Sequence, residues 1–149
     1  MPDCYLHVGG LKTGTTAVKA FLADRRDEFL DHGFLVPRSG AGENGRHLPF
    51  IKVLVGDDVA PRLRNCPELL SEELRRHPDH NLVISCESLE LHFREAKSAV
   101  TSFFLERGYR VKLLLYVRNQ AQRINSQYSQ KLKSLFGNQE WSTHVERVL

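Results

Sequence analysis

Between residues 7 and 16 the chain reads His7-Val8-Gly9-Gly10-Leu11-Lys12-Thr13-Gly14-Thr15-Thr16. Glycines let a backbone approach a ligand closely, Lys12 brings a full positive charge, and Thr13, Thr15 and Thr16 bring hydroxyl donors. If a helix begins at the end of this turn, its backbone N–H groups point at the same spot, and the chemistry is anion binding. A second anion-binding point is Arg118, with Ser126 eight residues further on. The planar guanidinium suits a phosphate, and serine adds a short neutral donor. General-base chemistry has two candidates, Glu87 and His47. Glu87 follows Ile84-Ser85-Cys86 and could instead serve the start of the next helix. His47 follows a Gly-rich loop and could instead be a packing or surface residue. His7 reads as structural, and the remaining histidines show no ligand-like grouping.

These groups need elements to hold them. A strand is expected over residues 4–8, followed by the Gly/Thr turn and a helix from about Thr16 to Asp31. Val18, Phe21, Leu22, Phe29 and Leu30 recur at helical spacing and are expected to face the core. Phe34 to Val36 reads as a short extended segment. Pro37 to Arg46 (PRSGAGENGR) is a loop that could close over a ligand or lie free on the surface. Helices are expected near His47–Leu54, over 68–76 and over 89–107. Strands are expected over 82–85 and 111–117. The Leu113-Leu114-Leu115 run predicts burial of the last strand on both faces. Asn119 can cap a final helix to about Phe136, with Ile124, Tyr128, Leu132 and Leu135 as its apolar stripe. Alternating strands and helices predict an α/β fold with parallel strands. In such sheets ligands sit beyond the carboxyl ends of the strands, where both anion motifs begin.

The first turn departs from the nucleotide triphosphatase pattern GxxxxGK[ST]. Gly9 and Gly14 keep its spacing, but Thr15 stands where lysine is required. Lys-Thr-Gly-Thr-Thr after a strand instead resembles the 5′-phosphosulfate loop of sulfotransferases that use 3′-phosphoadenosine 5′-phosphosulfate (PAPS). That loop reads PK[ST]G[TS]T; here Leu11 replaces its proline. Tyr116-Val117-Arg118 with Ser126 resembles the same family's 3′-phosphate motif. The likeness spans about residues 4–135 and is nearest to the bacterial and Golgi-type branch. It implies a P-loop-like three-layer α/β/α domain with a mostly parallel central sheet. It implies PAPS held by Lys12, Thr13, Gly14, Thr15, Thr16, Arg118 and Ser126, with no metal. It also implies sulfuryl transfer to a hydroxyl or amine acceptor, small molecule or carbohydrate. Lys12 would then stabilise the leaving oxygen, and Glu87, or else His47, would be the base.

Composition sets the outer limits. The chain has 149 residues, 41% hydrophobic and 26% charged, which suits one soluble domain. The formal charge of +3 fits a phosphate-bearing ligand, and no dense basic run with aromatics points to nucleic acid. Three cysteines without CxxC spacing argue against a disulfide framework or a structural zinc site. No leader-like start and no apolar run near the roughly 20 residues of a membrane span make a cytoplasmic protein the expectation. Family members are usually longer, so residues 1–149 are expected to lack the C-terminal part of the fold, and exposed apolar surface would favour a homo-oligomer. Competing readings are a P-loop kinase or hydrolase using ATP and magnesium, and a non-catalytic nucleotide-binding remnant.

Overall fold

A computed structural model of the chain describes residues 1–9, 14–42, 45–86, 89, 93–117, 119, 121–122, 125–126, 128–129 and 132. Two units emerge, Met1–Val117 and Arg118–Leu149. The first contains β1 (Asp3–Gly9), α1 (Thr15–Asp24), α2 (Arg26–Asp31), β2 (Phe34–Leu35), α3 (Leu48–Leu54), α4 (Cys66–Arg76), β3 (Asn81–Ser85), α5 (Phe93–Leu105) and β4 (Arg110–Tyr116). The strands form one all-parallel sheet in the order β2-β3-β1-β4. The fold is α/β, as the alternation of periods predicts. β3 and β4 are joined through α5 and run parallel, but β1 lies between them.

Strand periodicity sorts β1 and β3 onto two apolar clusters. Cys4, Leu6 and Val8 of β1, with Leu82 and Ile84 of β3, enter the larger one. There they meet Phe50 and Ile51 of α3, Leu70 and Leu74 of α4, and Val100, Phe103 and Phe104 of α5. Phe103 and Phe104 pack their rings against Phe50 at centroid distances of 4.9 and 5.8 Å. Val83 points the other way, into a smaller cluster with Leu22 of α1 and Val36.

Three expectations need correction. The helix expected over 16–31 is two helices that meet at Arg25. Phe21 is 52% exposed; the buried stripe of α1 is Thr15, Lys19 and Leu22. Among the described residues β4 is an edge strand, and Leu113, Leu114 and Leu115 are exposed where burial on both faces was expected. An apolar run reports that a strand wants cover, and here the described residues supply a neighbour on one side only. Smaller shifts concern helix ends. α4 starts at Cys66 because proline is tolerated in a helix's first turn, where its missing N–H costs nothing. Glu68 in that turn and Arg75 and Arg76 in the last complement the helix dipole.

In the second unit Ala121, Gln122, Asn125, Ser126, Tyr128, Ser129 and Leu132 are helical. Asn119 caps this segment as expected, its Oδ1 accepting from the N–H groups of Ala121 and Gln122 at 3.0 and 3.4 Å. Tyr128 is 61% exposed; Ile124 and Leu135 of the expected stripe lie outside the described residues. Among the described residues no helix is long and apolar enough to cross a membrane.

Candidate anion-binding site

The chain leaves β1 and β3, two adjacent strands, for opposite faces of the sheet. β1 leads to α1 beside the smaller cluster, and β3 leads to α5 beside the larger one. In an open parallel sheet, strand ends whose connections diverge in this way are the usual ligand position. The two ends are tied together there. Cys86 donates its N–H to the His7 carbonyl at 3.0 Å, and His7 Nδ1 and Ser85 Oγ share a 2.8 Å hydrogen bond. Among the described residues, His7 Nε2 is buried without a hydrogen-bond partner. Burial, and then the Lys19 charge, lower the His7 pKa, so the ring is neutral near pH 7.

α1 opens from Gly14, whose φ of 88° is the left-handed conformation that glycine adopts without strain. The Gly14 carbonyl accepts from Ala17 and Val18, and no side chain among the described residues caps the helix. Thr15 is buried and Thr16 exposed. Lys19, one turn into α1, is only 3% exposed. Burial and then the nearby Arg46 lower its pKa, with Cys86 acting in the opposite direction. Reading the sequence by composition misses this lysine, because a lysine inside a helix ordinarily faces water. The signal was the i, i+4, i+7 spacing of Thr15, Lys19 and Leu22.

The loop expected over 37–46 is fastened at both ends. Glu73 of α4 accepts from the backbone N–H groups of Arg38 and Ser39 at 3.0 and 2.9 Å. Gly42 donates to the Arg46 carbonyl at 2.7 Å and Gly45 to that of Gly42 at 2.9 Å. Gly45 also lies against α1, where an added Cβ would be 3.2 Å from the Ala23 Cβ. Gly40 has φ +76°, and a Cβ there would stand 2.7 Å from that of Phe50, so only glycine fits.

His47 ends this loop and is fully buried. Its backbone N–H donates to the Ser85 carbonyl at 2.9 Å, and its Nδ1 accepts from the Ser85 N–H at 3.3 Å. The proton therefore sits on Nε2, which donates to the Pro37 carbonyl at 3.2 Å. β2 pairs with β3 only at Asn81 and Leu82, so His47 takes over the free edge of β3 at Ser85. Burial holds its pKa down to about 4, against partial compensation from the two backbone bonds. With both nitrogens engaged, the ring fixes the position of the β3 end and of the loop.

Of the nine residues singled out by sequence, Lys12, Thr13, Glu87 and Arg118 lie outside the described residues. Gly14, Thr15 and Thr16 stand together at the start of α1, and His47 stands at the end of β3. Ser126 is half-buried on the helix of the second unit. On the α1 side of the sheet an apolar cleft of about 670 Å³ is lined in part by Tyr5, His7, Val18, Phe21, Leu114 and Tyr116. Among the described residues no group of three histidines, cysteines or carboxylates could hold a metal ion. Comparison with protein-family models, curated proteins and solved structures finds no match to this chain.

Proposed function

We propose that this chain is the PAPS-binding part of a sulfotransferase with a P-loop-like three-layer α/β/α architecture. The observation that carries the reading is the start of α1 directly after β1, opened by left-handed Gly14, with Lys19 buried one turn in. A helix start, a Gly/Thr turn and a buried positive charge form a donor set suited to a phosphate or sulfate. β1 and β4 are also adjacent, Gly9 pairing with Tyr116. The two anion motifs, Lys12 to Thr16 and Arg118, therefore follow neighbouring strand ends in the sequence.

In this reading Lys12, Thr13, Gly14, Thr15 and Thr16 hold the 5′ phosphosulfate. Arg118 and Ser126 hold the 3′-phosphate. PAPS, when bound, supplies the sulfuryl group to be transferred. Lys12 neutralises charge on the leaving phosphate oxygen, and positioning with electrostatics supplies most of the acceleration. Glu87 is the better choice for the base that takes the acceptor's proton. His47 has both nitrogens committed to backbone partners and serves instead to hold the strand end that precedes Glu87.

Calorimetric titration with adenosine 3′,5′-bisphosphate, beside ATP with magnesium, tests the reading. The bisphosphate should bind and ATP should not compete. Arg118→Ala should weaken the bisphosphate by about tenfold or more, the value of a charge-assisted phosphate contact, and leave adenosine 5′-phosphate almost unchanged. Preference for magnesium ATP would favour a kinase, and binding of neither would remove the sulfotransferase reading.

A further inference from the structure

Pro78 and Tyr109 stand shortly before β3 and β4, and so mark the amino ends of the strands. A cleft of about 550 Å³ lies there between the last turns of α4 and α5, with Arg75 and Arg107 in its lining. Ser71 of α4 holds both arginines. Its hydroxyl donates to the Pro67 carbonyl at 2.7 Å and accepts from Arg107 Nε at 3.1 Å. Its carbonyl accepts from Arg75 Nε at 3.3 Å. Arg107 also donates from Nη1 to the Phe103 carbonyl at 2.8 Å, and its guanidinium lies 3.6 Å from the centre of the Phe103 ring. Neither arginine forms an ion pair among the described residues, and nor does Glu106 in the same lining. Tyr109 is only 3% exposed, and its hydroxyl makes no hydrogen bond among the described residues. A phenol so placed calls for a partner.

Charge balance decides what fits this cleft. Two guanidinium charges share it with the Glu106 carboxylate and with the C-terminal ends of α4 and α5. Each helix end carries roughly half a negative charge. The sum is close to zero, so a plain anion or a plain cation gains little. A ligand that carries both signs is attracted at both ends. We propose that the cleft binds a free α-amino acid with a large apolar side chain. Its carboxylate takes the outer N–H groups of Arg75 and Arg107, which Ser71 leaves open by engaging both through Nε. Burial pushes the Tyr109 pKa up, so its hydroxyl is a donor to the same carboxylate at neutral pH. Glu106 takes the ammonium group, and Leu74 and Pro78 supply an apolar wall for the side chain. A cleft of this volume has room for a side chain the size of phenylalanine's.

Titration of the full chain with L-phenylalanine, followed by NMR, tests this. The Arg75 and Arg107 Nε–H signals should move and saturate in the millimolar range or below. Phenethylamine lacks the carboxylate and 3-phenylpropionate lacks the ammonium group, so each should bind about tenfold more weakly. Glu106→Gln should bind phenylalanine no better than 3-phenylpropionate, and Arg75→Gln should narrow the gap between phenylalanine and phenethylamine. Both side chains are exposed, so both variants should keep the fold, as unchanged core amide signals would verify. Absence of saturation, equal binding of all three compounds, or variants that discriminate as the parent does would overturn the proposal. None of these results depends on the anion site, which the bisphosphate titration tests separately.

Discussion

His47 shows what structural work the fold gives to a residue that the sequence offered as a base. A histidine after a glycine-rich loop has the composition of a general base, but one hydrogen bond accepted and another donated fix it as a neutral strap. Its protonation is linked to stability. In the unfolded chain the ring takes up a proton near its ordinary pKa of 6.5; in the folded protein it does so only near 4. Between those values the unfolded state binds more protons, so stability falls as pH drops through that window. The loss should approach about 3 kcal/mol at its lower end. Urea unfolding at pH 7 and at pH 4.5 checks this, and His47→Gln should flatten the difference. Lys19 is the opposite case, a residue outside the motif that drew attention, which the fold buries one turn into α1. Burial of a cation is decided by tertiary packing, which local composition does not report.

At the scale of elements, the strands were legible because their apolar runs are short and bounded by turns. Their helices were legible in position but less so in their breaks. Nothing in the sequence near Arg25 is a glycine or proline, so the division of α1 from α2 had no local signal. β4 was legible as a strand and misread as a central one, since hydrophobicity states a demand for cover and not who provides it. Its anchorage to β1 depends on Asp3. The hydrogen bond from Lys112 is the largest influence holding that carboxyl below its usual pKa, with Arg110 acting in the same direction. Asp3→Asn should therefore free both cations and speed amide exchange at the Arg110 end of β4 while leaving β3 amides unchanged. Exchange read by NMR distinguishes these two strands directly. Equal acceleration in both would mean that Asp3 supports the whole sheet and not this one pair of strands.

For the molecule as a whole, the parallel α/β class follows from the alternation of elements, but the strand order does not. Order is set by pairings between residues far apart, such as Cys4 with Leu82 and with Val111. Such non-local pairing carries a loop-closure cost that helices do not meet. Refolding should accordingly gain helical circular dichroism before the β1 amides become protected in pulse-labelled exchange. Simultaneous appearance of the two signals would contradict this order. The central place of β1 also matters during synthesis. At roughly 5–20 residues per second, some 4–16 s separate translation of Cys4 from that of Leu82, and the β4 codons are read later still. For that interval an inner strand of the sheet stands outside the ribosome as an unpaired apolar ribbon, the kind of nascent segment that chaperones shelter.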